Sequence, residues 1–348
     1  MRPSPLPPVN SCPPSRLQTT TPRRTVVFVH NHGQANWAQT GFSSREMEHS
    51  FLGIAQNLCG LNRTCVASGS RTFADILPRG GLLVIPPATG AYNNRKECWR
   101  AQSSSLFSIR EIEAILDFLQ AGGRLLAFSY RFGDSFTRTN LRDLFRPLGC
   151  LLNYDAVIDL TRLRTARPLR AWFDLPTDSL PLEWSQPGVR SVRCRAMATF
   201  TILPGASVHP LVLSPGGRCI SVDRDEHRFR FGSLPIAVAG LHGGGRFALF
   251  GGPHAFEIGT FGLLGSADNA QFLRNILRWL LGDHPLARKP SPLTVLSPQV
   301  HPQLAAPAAG DQAEIECARS GLTSVLDIER VLRRTGMLKA LARGDWMP

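Results

Sequence analysis

The chain has 348 residues, of which 43% are hydrophobic and 19% charged, with a formal charge of +13. That length and apolar content suit one large packed domain carrying an appendage, and no apolar run reaches the roughly eighteen residues of a membrane-spanning helix. The positive charge does not point to nucleic acid, because Arg is spread along the chain and only Lys96, Lys289 and Lys339 are lysines. Its densest cluster, Arg162, Arg164, Arg167, Arg170, Arg190, Arg193 and Arg195, is interleaved with Asp159, Asp174, Asp178 and Glu183, whereas a binding surface needs clustered charge and a reader motif.

Residues 1–24 are rich in Pro, Ser and Thr without the apolar core of a secretory signal, so they read as a disordered leader and the location as cytoplasmic. The eight Cys form no C-x-x-C pair and read as small buried residues rather than a disulfide framework.

The β-branched and aromatic run Thr25-Val-Val-Phe-Val predicts a first buried strand. It exits into a polar loop holding His30, His32, Gly33, Asn36 and Trp37. Ser43 and Glu46 then predict a capping box for a helix over 43–58, whose apolar face is Met47, Phe51, Ile54, Ala55 and Leu58. A short strand at 64–67 and a fully apolar one at 81–87 follow, the latter ending in Pro86-Pro87. The polar loop 88–107, with Tyr92, Asn93, Asn94 and Trp99, is long enough to cover a site.

Ser108 and Glu111 form a second capping box, Ile112, Ile115, Leu116 and Leu119 give that helix its buried face, and Gly122-Gly123 ends it. A strand at 124–129 exits through Tyr130-Arg-Phe-Gly-Asp134-Ser135, and a short helix over 140–148 ends at Gly149. This order predicts an α/β fold: a doubly wound, mostly parallel flavodoxin-like sheet with helices on both faces. Residues 154–231 lose the pattern and read as an irregular or antiparallel β insertion. Two apolar strands around His242-Gly-Gly-Gly245 form a hairpin whose second strand exits into Gly251-Gly-Pro-His254-Ala-Phe-Glu257. Asp268 with Gln271 predicts a capped helix burying Phe272, Ile276, Trp279 and Leu280, with Asn269 and Asn275 belonging to its surface or core. The α/β domain thus spans 25–283, followed by a Pro/Ala-rich linker at 284–311 and a short helical tail at 312–348.

Four strand exits would share one edge of such a sheet, bringing together His30, His32, Asn36, Trp37, Arg131, Asp134, His254 and Glu257 as the lining of a binding site. His30, His32 and Asp134 are the candidates for a metal site, against the plainer reading of a backbone-bonded and a solvated histidine. His254 and Glu257 could be a base and its orienting carboxylate. Ser129 and Ser135 are the candidate nucleophiles on the strand-to-helix turn, though neither is flanked by the glycines that a strained elbow requires.

These motifs resemble the class I glutamine amidotransferase-like superfamily, in an uncharacterised branch near the GIFT and trehalose-utilisation-type domains. The matching features are a first strand ending in His32-Gly33, an apolar strand ending in Pro86-Pro87, the Ser108-capped helix with Gly122-Gly123, and a Gly-Arg-Phe-Ala-Leu-Phe-Gly-Gly strand before a helix ending in Trp279-Leu280. The resemblance implies a Gly-x-Cys-x-Gly elbow and a His-x-Glu pair. Here the thiol is missing at Ser129-Tyr130, and His254-Ala-Phe-Glu257 carries one residue more. The expectation is a non-catalytic ligand-binding or scaffold protein with no cofactor, taking a small polar ligand (a carbohydrate among them) or a partner protein, with the tail serving assembly. The competing expectation is a hydrolase that uses a His/Asp-bound metal, or a Ser nucleophile with His254 as base.

Overall fold

The computed structural model describes residues 25–29, 51, 53–54, 63–67, 77, 81–87, 106–159, 172–216, 219–223, 229–257 and 263–282. The leader, the loop 88–105, the linker and the tail lie outside the described residues, as do the Ser43–Glu46 cap and most of the helix expected over 43–58; within that helix Phe51 and Ile54 are helical and buried.

In chain order the first elements are β1 (Thr25–Val29), β2 (Arg63–Ala67), β3 (Leu82–Ile85), α1 (Ile109–Gln120) and β4 (Arg124–Phe128). The helices α2 (Gly133–Thr137) and α3 (Leu141–Phe145) follow, then β5 (Cys150–Leu152), β6 (Asp155–Asp159), β7 (Phe173–Pro176) and β8 (Ser191–Cys194). The remainder is β9 (Phe200–Ile202), β10 (Val208–Leu213), β11 (Cys219–Asp223), β12 (Phe229–Phe231), β13 (Pro235–His242), β14 (Gly245–Phe250) and α4 (Asn269–Leu281).

Seven strands form the central sheet in the order β10-β13-β14-β4-β3-β1-β2. From β2 to β14 every neighbouring pair is parallel, and β13 runs against them. A parallel sheet is covered on both faces, so its strands must be apolar at every position. Val26, Phe28, Leu82, Val84, Leu126, Phe128, Ala248 and Phe250 enter one core. The alternate residues Val27, Val29, Leu83, Ile85, Leu125, Ala127, Phe247 and Leu249 enter the other. Ile115 and Leu119 of α1 cover the second core, and Phe272, Leu273, Ile276, Leu277 and Leu280 of α4 cover the first.

The local signals act as their chemistry requires. Ser108 and Glu111 make the reciprocal capping box of α1. His242 pairs with Gly245 across a two-residue turn, the tight hairpin expected of that glycine run. The 154–231 stretch is built of short antiparallel pairs, β7 with β8 and β11 with both β6 and β12; its β9 pairs with the preceding β5, and β10 joins the central sheet.

One expectation is corrected. Asp268 stands at the N-cap of α4 but makes no side-chain bond to that helix. Its carboxylate accepts instead from the backbone N–H groups of Arg190 and Ser191, at 2.9 and 3.3 Å, and Gln271 donates to Asn275 and Pro187. Asn269 and Asn275 likewise turn inward. Asn269 exchanges hydrogen bonds with the backbone of Arg193, and Asn275 donates to the carbonyls of Ser185 and Pro187. The polar residues of α4 therefore grip residues 185–193, and Trp184 stacks on Trp279 with centroids 4.6 Å apart. At the other end of α4, Arg124 and Arg246 donate to the carbonyls of Leu280 and Trp279, where the helix terminus favours cations.

The N–H groups of Arg190 and Ser191 hold the Asp268 carboxyl below the usual carboxylate range. A lowered value means that the stabilisation is present at neutral pH and lost as pH falls through the folded-state value. Asp268→Asn is expected to reduce unfolding free energy by about 0.5–1 kcal/mol at pH 7. The difference should shrink as pH falls through the folded-state value, measured by urea denaturation of both proteins at each pH.

Candidate functional site

The site is set by two adjacent parallel strands. Phe128 of β4 is paired with Phe250 of β14, and the Ser129 N–H donates to the Phe250 carbonyl at 2.8 Å. The exits of both strands therefore start side by side. After β14 the chain makes a short 3₁₀ turn, His254–Phe256. Ala255 and Phe256 are buried, and Phe256 wedges between Phe128, Phe250 and Phe272 at centroid distances of 5.7, 5.0 and 5.9 Å. With the middle of the turn anchored, His254 and Glu257 fall on one side, since residues three apart eclipse in such a turn.

His254 Nδ1 and Glu257 Oε2 lie 2.8 Å apart. His254 Nε2 meets the Tyr130 hydroxyl at 3.1 Å. The carboxylate can only accept, so the imidazole carries a proton on Nδ1 and a neutral ring accepts the phenol proton on Nε2. The Tyr130 ring stacks on Phe136 at 5.6 Å, and the Arg131 guanidinium lies 5.4 and 5.3 Å from the centroids of those two rings. Tyr130 is buried, and the His254 and Glu257 side chains keep 12% and 18% of their exposure, so the chain of hydrogen bonds remains in touch with solvent.

The sharp residue of the β4 exit is Phe132, with φ 62°, ψ 13°, and not Ser129 or Tyr130. A left-handed phenylalanine costs on the order of 1 kcal/mol or more and persists only where its surroundings fix it. Here its N–H donates to the Asp155 carbonyl at 2.7 Å, and its side chain is fully buried. Gly133 follows with φ 53°, and a Cβ there would lie 2.8 Å from the Asn153 carbonyl. Asp155 is itself held fast. Its buried carboxylate accepts from the Thr199 N–H and hydroxyl at 2.8 and 2.7 Å, from Ser221, and from the Arg230 guanidinium. The β insertion thus braces the turn from behind.

The remaining candidates are placed as follows. The buried Asp134 carboxylate accepts from the Thr139 hydroxyl at 2.5 Å and from the N–H groups of Leu141 and Arg142 at 3.0 and 2.8 Å. It caps α3 from a distance. Burial pushes its carboxyl above the usual range, and those three donors pull it part of the way back. Ser135 donates to the Phe132 carbonyl at 2.7 Å. Ser129 Oγ is buried and has no hydrogen-bond partner among the described residues. His30, His32, Asn36 and Trp37 lie outside the described residues. Among the described residues no group of three His, Cys, Asp or Glu side chains could hold a metal ion, and no helix is long and apolar enough to cross a membrane. Cys150, Cys194 and Cys219 are buried; burial pushes the Cys150 thiol up to about 12 and raises that of Cys194 as well. Neither Cys150 nor Cys194 offers a thiolate near neutral pH.

Sequence offers Tyr130 as a ring to stack on a sugar face and not as the partner of His254, and it does not single out Asp155 as brace. The usable signal for Tyr130 was the pairing of β4 with β14, which starts the two exits level with each other.

Fold and site together define a mixed α/β protein with a mostly parallel central sheet, small antiparallel sheets beside it and a polar cluster at the carboxyl ends of the strands. No protein-family model matches the sequence, and no curated protein does. Among solved structures it is similar to the mmIFT52 N-terminal domain, at 16% identity and a TM-score of 0.54, over 75% of this chain and 100% of that one. The fold is what these two share. It also aligns with a cytoplasmic protein of Salmonella typhimurium (13% identity, TM-score 0.42, 74% of this chain and 98% of that one). A ThuA-like protein of Bacteroides uniformis aligns at 12% identity and a TM-score of 0.36, over 74% of this chain and 91% of that one.

Asp134→Asn keeps the shape but turns an amide N–H₂ toward one of the three donors. It is expected to destabilise the protein by about 1–3 kcal/mol, read from the urea midpoint at neutral pH.

Proposed function

We propose that this chain is a non-catalytic ligand-binding or scaffold protein built on a degenerate amidotransferase-like domain, with its pocket at the carboxyl ends of the parallel strands. One observation carries the reading: the left-handed turn residue is a buried phenylalanine, Phe132, while the Nε2 atom of His254 is engaged by the Tyr130 phenol. Among the described residues a base and its orienting carboxylate remain, without an exposed thiol or aliphatic hydroxyl beside the base for it to activate. Two observations weigh against the hydrolase alternative. Ser135 is bound to a backbone carbonyl, and Asp134, the carboxylate of the metal reading, is committed to three donors.

The pocket would be lined by Tyr130, His254 and Glu257, with His30, His32, Asn36 and Trp37 contributed by the exit of β1. Aromatic faces beside a few polar groups suit a small polar ligand such as a carbohydrate, or a short partner segment. The 312–348 segment would serve partner assembly, a role kept apart from the pocket.

Two measurements test the reading. Release of ammonia from glutamine and hydrolysis of p-nitrophenyl acetate should be no faster with the wild-type protein than with His254→Ala. Saturation-transfer NMR with a panel of neutral sugars, amino acids and nucleosides should show a bound class whose signal is lost in His254→Ala. Turnover that His254→Ala abolishes would replace binding with catalysis.

A further inference from the structure

The β insertion carries a second arrangement of groups, on the outer side of a two-stranded ribbon. β7 and β8 pair antiparallel, with Phe173, Leu175, Val192 and Cys194 turned into the core. The alternate residues Asp174 and Arg193 stand opposite each other on the outer side. Arg193 donates to both carboxylate oxygens of Asp174, from Nε at 2.6 Å and from Nη2 at 3.0 Å. Its guanidinium carbon lies 5.9 Å from the ring centroid of Trp172. Trp172 immediately precedes β7 and keeps 45% of its exposure, the one indole or phenyl ring left exposed among the described residues.

The cluster is built rather than incidental. The fully buried Asn269 grips the Arg193 backbone at both polar atoms: the N–H donates to its Oδ1 and the carbonyl accepts from its Nδ2, each at 2.8 Å. An exposed ion pair ordinarily contributes little, because holding two side chains in one geometry costs entropy. Here the pinned strand and the bidentate fork set that geometry in advance. Arg193 Nη1 takes no part in the pair, and each Asp174 oxygen accepts once from it, so N–H groups and lone pairs remain beside the indole. The neighbouring charges are balanced or turned in: Arg190 pairs with Asp268 at 3.7 Å, and Arg195 Nε is buried.

We propose that Trp172, Asp174 and Arg193 form a saccharide-binding platform, distinct from the strand-end pocket, that takes an uncharged pyranose with vicinal hydroxyls. The apolar C–H face of the sugar rests on the indole, whose quadrupole and flat surface favour it. One hydroxyl accepts from Arg193 Nη1 while its neighbour donates to the Asp174 carboxylate. A charged ligand would gain from one member of the ion pair and lose to the other. The balanced pair therefore selects a neutral ligand whose adjacent groups can donate and accept, which is the chemistry of a diol.

Full-length protein labelled with fluorotryptophan is followed by ¹⁹F NMR, with Trp172→Phe assigning the Trp172 resonance. Methyl glucoside, methyl galactoside, methyl mannoside and maltotetraose are titrated to their solubility limits, beside glucuronate, a nucleoside and an oligoproline peptide. Expected is a saturable shift of the Trp172 resonance with at least one neutral saccharide, lost in Arg193→Lys, which keeps the charge and removes the fork. Asp174→Asn unbalances the pair and should turn the preference toward glucuronate. Saccharide saturation transfer should disappear in Trp172→Ala while the urea midpoint stays close to wild type, because the ring is exposed. A Trp172 resonance that no neutral saccharide moves would overturn the proposal, whether or not the nucleoside or the peptide moves it. Saccharide binding that survives Trp172→Ala would overturn it too. His254→Ala should leave the Trp172 shift unchanged, and its loss there would refute a site distinct from the pocket. Failure of the pocket measurements above leaves this result standing, and failure here leaves the pocket untouched.

Discussion

The parallel pairing of β4 with β14 governs this molecule. Five residues of each strand are in register, from Arg124 with Arg246 to Phe128 with Phe250. The strands are far apart in sequence, and the whole β insertion lies between them. Their pairing aligns two exits that would otherwise be unrelated, so Tyr130 and His254 meet without either loop having to be long. At the opposite end the same register sets Arg124 beside Arg246, both reaching the carbonyls at the end of α4. Burial lowers the pKa of both guanidiniums, in keeping with a crowded cationic cap.

The insertion is a support as much as an excursion. From the Asp155 backbone carbonyl it receives the N–H of Phe132, and through the Asp155 carboxylate it gathers Thr199, Ser221 and Arg230. A buried carboxylate that lost these partners would be costly, so the network fixes where β6 begins and, through it, the bend of the β4 exit. The insertion also meets α4, whose inward asparagines hold residues 185–193. The β4 exit and α4 are thus each tied to the insertion by a polar network.

Much of the sheet was legible because burial on both faces leaves an uninterrupted apolar run, as in 82–87 and 125–128. Helix ends were legible where a cap is local, as with Ser108 and Glu111. Asp268 was misread because its signature is the same as a capping box, while its partners, Arg190 and Ser191, are remote in sequence. Asn269 and Asn275 could be read as surface or core alike, because their partners at Arg193, Ser185 and Pro187 are remote in sequence. For the site, residue type pointed to His254 and Glu257, but an extra residue between them obscured the 3₁₀ turn that joins them. Phe132 was illegible altogether, since nothing in a phenylalanine announces a left-handed backbone.

The parallel stacking of Trp184 on Trp279, 4.6 Å apart and 5° from coplanar, makes the join between insertion and domain observable in light. Two indoles held face to face couple their excited states, so the pair contributes a circular-dichroism couplet and a fluorescence unlike those of separated rings. One ring belongs to the 3₁₀ turn Glu183–Ser185 and the other to α4. That optical signature would fade when the insertion lifts from the helix, even with the parallel sheet intact. The molecule therefore carries its own reporter for whether its two halves come apart together or in sequence.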